Sequence, residues 1–154
     1  MKNLYLIRHA EAQPAIGIKD IERNLTEKGQ EFIANTINNL KQNYKKPELL
    51  IVSPAKRTQQ TAEIIKSCWS IPPEIARTED FLYGSEYQEI LKFLQTMDDK
   101  YQTIAIVGHN PGISVLVNFF TMEPINMTPG NVCLIEFEVD TWQALGAGTG
   151  VLKT

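Results

Sequence analysis

The sequence predicts an α/β protein with a mostly parallel central sheet flanked by helices. Three short apolar runs with strong β-propensity, at residues 4–7, 49–52 and 103–107, alternate with segments whose apolar residues recur at helical spacing. Strands that alternate with helices are typical of parallel sheets, because the helix carries the chain back across the sheet. Arginine or histidine residues follow each of these runs, which favours a functional site at the carboxyl edge of the sheet.

Composition limits both the organisation and the class of protein. The 154 residues show no repeat or linker, so we expect residues 1–154 to form one domain. A net charge of −3 argues against a general binder of nucleic acid or of a membrane surface, although one local basic site remains compatible with it. No apolar stretch is long enough for a signal peptide or a bilayer span, so we expect a cytoplasmic protein. Cys68 and Cys133 are expected to be free thiols.

The first helix is predicted to follow a long irregular stretch at residues 11–23, and connections of this length are often functional. Thr26 is its expected N-cap, and an apolar stripe continues from Ile33 to Tyr44. Gly29 in the first turn weakens the helix. This glycine either marks a close contact or is simply tolerated.

The second helix is expected directly after the second strand. Ser53 is the predicted N-cap, with Pro54 at the first helical position of a helix over residues 55–67. Residues 74–76 suggest a short edge strand beyond it.

The second half of the chain continues the alternation. Ser85 and Gln88 form a predicted capping box for a helix that ends near residue 98. After the strand at residues 103–107, Asn110 is the expected N-cap of a helix through residue 119 or 120. Residues 133–139 alternate as a late strand, and a glycine-rich turn at residues 146–149 precedes a last short strand.

Four basic or imidazole side chains follow the ends of the three apolar runs. Arg8 and His9 end the first strand, Arg57 comes just after the second, and His109 follows the third. Parallel strands deliver these residues to one rim of the sheet. Arginine grips phosphate through a fork of donors, and neutral imidazole can attack phosphorus as a nucleophile. The joint pattern therefore predicts an anion site with phosphoryl-transfer chemistry.

Each residue also has a simpler interpretation when it is taken alone. Arg57 could be a solvated residue of a helix face, and His109 could cap a helix. His9 and His109 could bind a metal, but a usual site needs a third ligand, and the arginines would repel a cation. The matching placement at three junctions favours the joint interpretation.

Three blocks of sequence resemble the signatures of the histidine phosphatase (phosphoglycerate mutase-like) superfamily. These blocks are Arg-His-Ala-Glu at residues 8–11, Ser-Pro-Ala-Lys-Arg-Thr at residues 53–58 and Gly-His-Asn-Pro-Gly at residues 108–112. The segment at residues 20–29, together with the short chain, is similar to the SixA-like phosphohistidine phosphatase branch. This resemblance implies a single three-layer α/β/α domain.

The resemblance also implies roles for individual residues. His9 would be the nucleophile that becomes phosphohistidine, and Arg8, Arg57 and His109 would form the phosphate pocket around it. Three further residues would lie near the phosphate. They are Arg23, Asp20 and, directly after the second histidine, Asn110. Neither a metal nor another cofactor is called for.

The mid-chain carboxylate that other branches use as an acid has no clear counterpart here. Glu79 and Asp80 are the candidates, and their placement relative to the site is open. A phosphorylated imidazole can leave as neutral imidazole, so it depends less on such an acid than an alkyl phosphate does.

Three functions compete at this point. The first is a phosphatase for a histidine-phosphorylated protein, such as a histidine phosphotransfer domain. The second is a phosphatase for small phosphorylated metabolites of the sugar phosphate type, and the third is a non-catalytic phosphate-binding module. Both phosphatases would release inorganic phosphate. The compact chain favours the protein substrate, and a module that only binds phosphate has no need of a nucleophile.

Overall fold

The computed structural model describes residues 1–154 and has a six-stranded sheet between two layers of helices. The strands are β1 (Lys2–Arg8), β2 (Leu49–Val52), β3 (Ala76–Thr78), β4 (Thr103–Gly108), β5 (Val132–Phe137) and β6 (Gly150–Leu152). The helices are α1 (Glu27–Leu40), α2 (Lys56–Trp69), α3 (Tyr87–Gln95) and α4 (Gly112–Thr121). The predicted three-layer α/β/α class is confirmed.

The sheet has the order β3-β2-β4-β1-β5-β6. Strands β1 to β4 are parallel to one another, and β5 is antiparallel to both of its neighbours, β1 and β6. Strand β4 lies between β1 and β2, although it follows both in sequence. Arg8 pairs with Gly108, and Val52 pairs with Val107. The residues just beyond these strand ends therefore leave the sheet side by side at its carboxyl edge.

Strand β1 lies at the centre and is buried on both faces. Leu4 and Leu6 belong to the core beneath α3 and α4, whereas Tyr5 and Ile7 belong to the core beneath α1 and α2. Burial on both faces explains why this strand is continuously apolar instead of alternating. It also fixes the position of the chain just before the first histidine.

The first turn of α1 explains its glycine. Thr26 is the N-cap as predicted, and its Oγ1 accepts a hydrogen bond of 2.9 Å from the Gly29 N–H. A methyl group on Gly29 would collide with the backbone of Glu11. Gly29 therefore marks a close contact between α1 and the segment that follows His9. The helix ends at Leu40, so the predicted stripe runs too far when it includes Tyr44.

Two predicted helix starts are wrong because their serines make other contacts. Ala55, not Ser53, is the N-cap of α2, and the Ser53 hydroxyl instead contacts His109. Helix α3 starts one residue later than its predicted capping box, because Glu86 is the N-cap. The Glu89 carboxylate accepts a hydrogen bond of 3.2 Å from the Glu86 N–H.

The remaining elements agree with the sequence to within a few residues. Helix α3 ends at Gln95, before the predicted end, and the edge strand β3 starts two residues later than expected. Helix α4 has Pro111 as its N-cap in place of Asn110. Both cysteines are free, as predicted. None of the helices combines the length and the apolar character that a membrane span requires.

Candidate active site

The structure brings the four residues at the strand ends together at one rim. The ring centroids of His9 and His109 lie 5.4 Å apart. The Arg57 Nη2 atom is 3.4 Å from His109 Nδ1, and Arg8 is the last residue of β1, directly before His9. The strand order accounts for this arrangement, because β4 places His109 between the ends of β1 and β2.

His9 has the protonation that a nucleophile needs. Its Nδ1 lies 2.8 Å from the carbonyl oxygen of Ala10, and a carbonyl can only accept, so Nδ1 carries the proton. The lone pair is then on Nε2. Only 8% of His9 is exposed. Burial lowers the pKa of His9 to about 4, and the charges of nearby arginines add to this effect. The imidazole is therefore neutral at pH 7.

His109 is held at Nε2 by Ser53, for which the sequence pattern predicts only a helix cap. Ser53 Oγ lies 2.7 Å from His109 Nε2, and Ser53 is completely buried. Burial, followed by the charge of Arg57, lowers the pKa of His109 to about 3. Ser53 directly follows β2, as His9 follows β1. The same strand-end argument could therefore have identified it.

Both arginines keep one buried donor without a partner. The Arg57 side chain is 8% exposed, and its Nη1 and Nη2 donate to the backbone carbonyl and the Oδ2 of Asp20 at 2.8 and 3.1 Å. Arg8 Nη1 donates to the carbonyl of Met127 at 2.8 Å. The Nε atoms of both arginines are buried and have no hydrogen-bond partner in the chain. A buried unpaired donor costs about 1–3 kcal/mol, so both positions favour an acceptor such as an oxyanion.

Asp20 and Tyr83 complete one wall of the site. Tyr83 Oη donates a hydrogen bond of 2.6 Å to Asp20 Oδ2, and the tyrosine ring meets His109 edge-on at 5.6 Å. This bond, together with those from Arg23 and Arg57, lowers the pKa of Asp20 to about 2. Asp20 was expected near the pocket. Tyr83 was missed, because nothing in its loop sequence distinguishes it.

Arg23 is joined to the cluster through its contact with Asp20. Its Nη1 is 3.1 Å from Asp20 Oδ1, and its Nε donates to the carbonyl of Gln13 at 2.6 Å. Its charge still contributes to the lowered pKa of His9. A role of Arg23 in phosphate binding stays a prediction.

The side chain of Asn110 is occupied by other parts of the chain. Its Nδ2 donates to the carbonyl of Met127 at 2.9 Å, and its Oδ1 accepts from the Ser114 hydroxyl at 2.7 Å. A phosphate contact through the amide group is therefore disfavoured. The backbone N–H of Asn110 has no hydrogen bond within the chain and could serve instead. The Met127 carbonyl accepts hydrogen bonds from both Asn110 and Arg8.

The two candidate acids are not part of this cluster. Glu79 forms an ion pair of 3.2 Å with Arg77, and Asp80 is exposed in a short 3₁₀ turn. Neither carboxylate contacts His9 or His109. A cleft of about 480 Å³ opens beside His109. Residues 84–88 and 109–112, together with Val115, line it.

The side chains also bear on the metal alternative. No group of three His, Cys, Asp or Glu side chains is arranged to hold a metal ion. The Asp20 carboxylate, which contacts the cluster through Arg57, already accepts from Arg57, Tyr83 and Arg23. The donor set therefore fits an anion better than a cation.

Comparison with known families identifies the class of protein that this fold and site define. The model of the histidine phosphatase superfamily, branch 1, matches residues 4–80. The chain belongs to this superfamily, and its fold and site are those of a phosphatase of the superfamily. No curated protein sequence matches it significantly.

Solved structures share the fold over nearly the whole chain. A protein histidine phosphatase SixA complexed with tungstate has a TM-score of 0.84 and 22% identity, covering 99% of this chain and 94% of its own. A protein from Nakamurella multipartitia described as a phosphohistidine phosphatase SixA has a TM-score of 0.81 and 23% identity, covering 99% and 95%. A mycobacterial glucosyl-3-phosphoglycerate phosphatase has a TM-score of 0.70 and 11% identity, covering 99% and 97%. At these identities the likeness concerns the fold.

Proposed function

We propose that this protein is a phosphohistidine phosphatase that removes the phosphoryl group from a histidine-phosphorylated protein through a covalent intermediate on His9. One observation carries the proposal. The buried Nε donors of Arg8 and Arg57 lack partners, and they belong to a cluster in which His9 keeps a lone pair on Nε2. A phosphoryl group placed there would satisfy both donors and meet the nucleophile.

The first chemical step forms a bond between His9 Nε2 and phosphorus while the bond from phosphorus to the leaving nitrogen breaks. The leaving imidazole keeps the electron pair of that bond. Because Ala10 holds the proton of His9 on Nδ1, the attacking nitrogen needs no deprotonation. Water then attacks phosphorus, releases inorganic phosphate and restores His9.

The site must mainly stabilise the negative charge of the transferred group, because phosphoryl transfer depends on positioning and on stabilising the equatorial oxygens. Arg8 and Arg57 supply two fixed positive charges. His109 can add a third donor through Nδ1, since the Ser53 hydroxyl can donate to Nε2 as readily as it accepts from it. No metal or other cofactor enters the proposed cycle.

Leaving-group chemistry favours phosphohistidine over an alkyl phosphate. Glu79 is paired with Arg77 and Asp80 contacts neither histidine, so neither carboxyl group is placed as an acid. Asp20 has a pKa of about 2 and is ionised at pH 7. An alkoxide leaves poorly without a proton, whereas imidazole with a protonated distal nitrogen leaves as a neutral molecule. The open cleft beside His109 leaves room for a protein-borne substrate.

The proposed domain covers residues 1–154. The family match ends at residue 80, but His109 and Met127 both contribute to the cluster. The expected partner is a phosphorylated protein such as a histidine phosphotransfer domain. The SixA structure that resembles this chain holds tungstate, a tetrahedral oxyanion like phosphate, which agrees with the proposed site.

A substrate comparison tests the proposal. We expect hydrolysis of a phosphohistidine protein to exceed hydrolysis of a sugar phosphate by at least one order of magnitude in kcat/KM, with an aryl phosphate between them. The variants Glu79→Gln and Asp80→Asn should keep most of the phosphohistidine activity. Efficient hydrolysis of the sugar phosphate, together with a large loss in either variant, would instead identify a small-molecule phosphatase.

A further inference from the structure

We infer that Asp20 is a positioning residue for phosphoryl transfer, which holds the guanidinium of Arg57 from its outer end while Tyr83 holds Asp20. The inference rests on the proposed function, because it assigns to Arg57 the task of gripping the transferred group. It adds a part to the site that lies outside the cluster of Arg8, His9, Arg57 and His109.

The hydrogen bonds of Arg57 divide its guanidinium into two edges. Nη1 and Nη2 form the outer end, and Asp20 takes both through its backbone carbonyl at 2.8 Å and its Oδ2 at 3.1 Å. The side edge consists of Nε, which is buried and unpaired, and of Nη2, which also lies 3.4 Å from His109 Nδ1. Asp20 therefore fixes the plane of the group from its outer end and leaves Nε free to donate to phosphate.

The Asp20 carboxylate is itself fixed by a tyrosine from a distant loop and by an arginine from its own loop. Tyr83 Oη donates to Oδ2 at 2.6 Å, and Arg23 Nη1 lies 3.1 Å from Oδ1. Three segments that are distant in sequence thus converge on one carboxylate. They are the loop before α1, the first turn of α2 and the loop before α3.

Burial of one partner makes this ion pair different from an ordinary surface pair. The Asp20 side chain is 48% exposed, but the Arg57 side chain is 8% exposed. A pair between two exposed side chains contributes little, whereas a buried guanidinium without its carboxylate loses both water and counter-charge. Every partner of the Asp20 carboxylate is a hydrogen-bond donor. In Asp20→Asn the amide NH₂ is also a donor, so it would face at least one donor and lose that hydrogen bond.

The decisive experiment is a double-mutant cycle of Asp20→Asn with Arg57→Ala, measured by kcat and KM on a phosphohistidine protein. We expect Asp20→Asn to lower kcat by roughly tenfold to a hundredfold with a smaller change in KM, as for a misplaced catalytic group. In the Arg57→Ala background the same substitution should have almost no further effect, because the group that it positions is gone. Glu22→Gln, an exposed carboxylate in the same 3₁₀ turn, is the matched control and should behave like the wild type.

Tyr83→Phe provides a second arm that keeps the ring against His109. It should show a smaller loss of kcat than Asp20→Asn and no additional loss when the two are combined. Equal kcat in Asp20→Asn and the wild type would overturn the inference. So would independent, multiplying losses from Asp20→Asn and Arg57→Ala, since these indicate a general effect on the fold.

A binding measurement separates this inference from the proposed function. Calorimetry should show that Asp20→Asn lowers the affinity for vanadate more than the affinity for inorganic phosphate, because vanadate can adopt the geometry of the transition state. If the wild type hydrolyses none of the phosphorylated substrates, the proposed function fails. The inference about Asp20 would then be decided by these affinities, and unchanged binding of both anions would refute it.

Discussion

Arg8 and Arg57 each present a buried Nε that the chain does not satisfy, and the first prediction concerns them. Changing either residue to alanine should lower kcat/KM by about 10²–10³-fold, the range for losing one electrostatic donor to a transition state. Lysine should restore only part of the activity, because it lacks the fork that binds two oxygens. Steady-state kinetics on a phosphohistidine protein, with vanadate inhibition in parallel, provides the measurement.

The surface offers a matched control for this arginine prediction. Arg77 is exposed and pairs with Glu79, so Arg77→Ala removes the same charge away from the histidines. It should leave kcat/KM within about twofold of the wild type, as is usual for surface positions. Full activity of Arg57→Ala would remove this residue from the site.

Single residues also show how far the sequence alone could reach. Arg8, His9, Arg57 and His109 could be grouped because a parallel sheet brings successive strand ends to one edge. Tyr83 could not, because its contact with Asp20 joins two loops whose approach depends on the whole fold.

The contact between α1 and the segment after His9 gives a prediction at the scale of an element. Alanine at Gly29 would gain about 1 kcal/mol of helix propensity. Its methyl group would meet the backbone of Glu11, and overpacking typically costs about 1–3 kcal/mol. We therefore expect Gly29→Ala to lower the free energy of unfolding in a urea titration. Lys28→Ala, an exposed change in the same turn, should stay within about 0.5 kcal/mol of the wild type. A more stable Gly29→Ala variant would contradict the close contact.

Elements were predictable where local chemistry and packing agree. Thr26 caps α1 because its hydroxyl can accept from the Gly29 N–H while it donates to the Glu11 carboxylate. Strands β1 and β4 are buried and apolar, as their composition indicates. The predicted start of α2 is wrong because the Ser53 hydroxyl can hydrogen-bond either to a helix N-terminus or to a histidine. The tertiary structure brings His109 within reach, and Ser53 bonds to it. Sequence patterns therefore identify the elements better than the polar contacts at their ends.

The two buried imidazoles make the stability of the whole molecule depend on pH. The pKa values of His9 and His109 are lowered from 6.5 to about 4 and about 3, so the unfolded chain binds more protons between these values. The stability linked to the neutral imidazoles is therefore fully present above pH 6.5. It is lost as the pH falls from 6.5 to about 4 for His9 and to about 3 for His109. The pKa of Asp20, lowered from 3.8 to about 2, adds a further loss below about pH 4. Urea unfolding at pH 7, 5.5 and 4.5 should show a steady fall in the free energy of unfolding.

A variant in which both histidines are replaced by asparagine isolates this effect. It should lose most of the fall between pH 7 and 4.5, while the titration of surface carboxylates remains the same in both proteins. An identical pH dependence in the variant and the wild type would mean that the imidazoles are not held neutral by burial.

The most direct measurement of the central claim is the identity of the phosphorylated residue during turnover. The enzyme should be mixed rapidly with a ³²P-labelled aryl phosphate, quenched in alkali because the phosphorus–nitrogen bond is acid-labile, and mapped by peptide analysis. We predict label on the peptide that contains His9, and none in a folded His9→Ala variant. Label on a different residue, or turnover without any labelled protein at early times, would contradict a covalent step at His9.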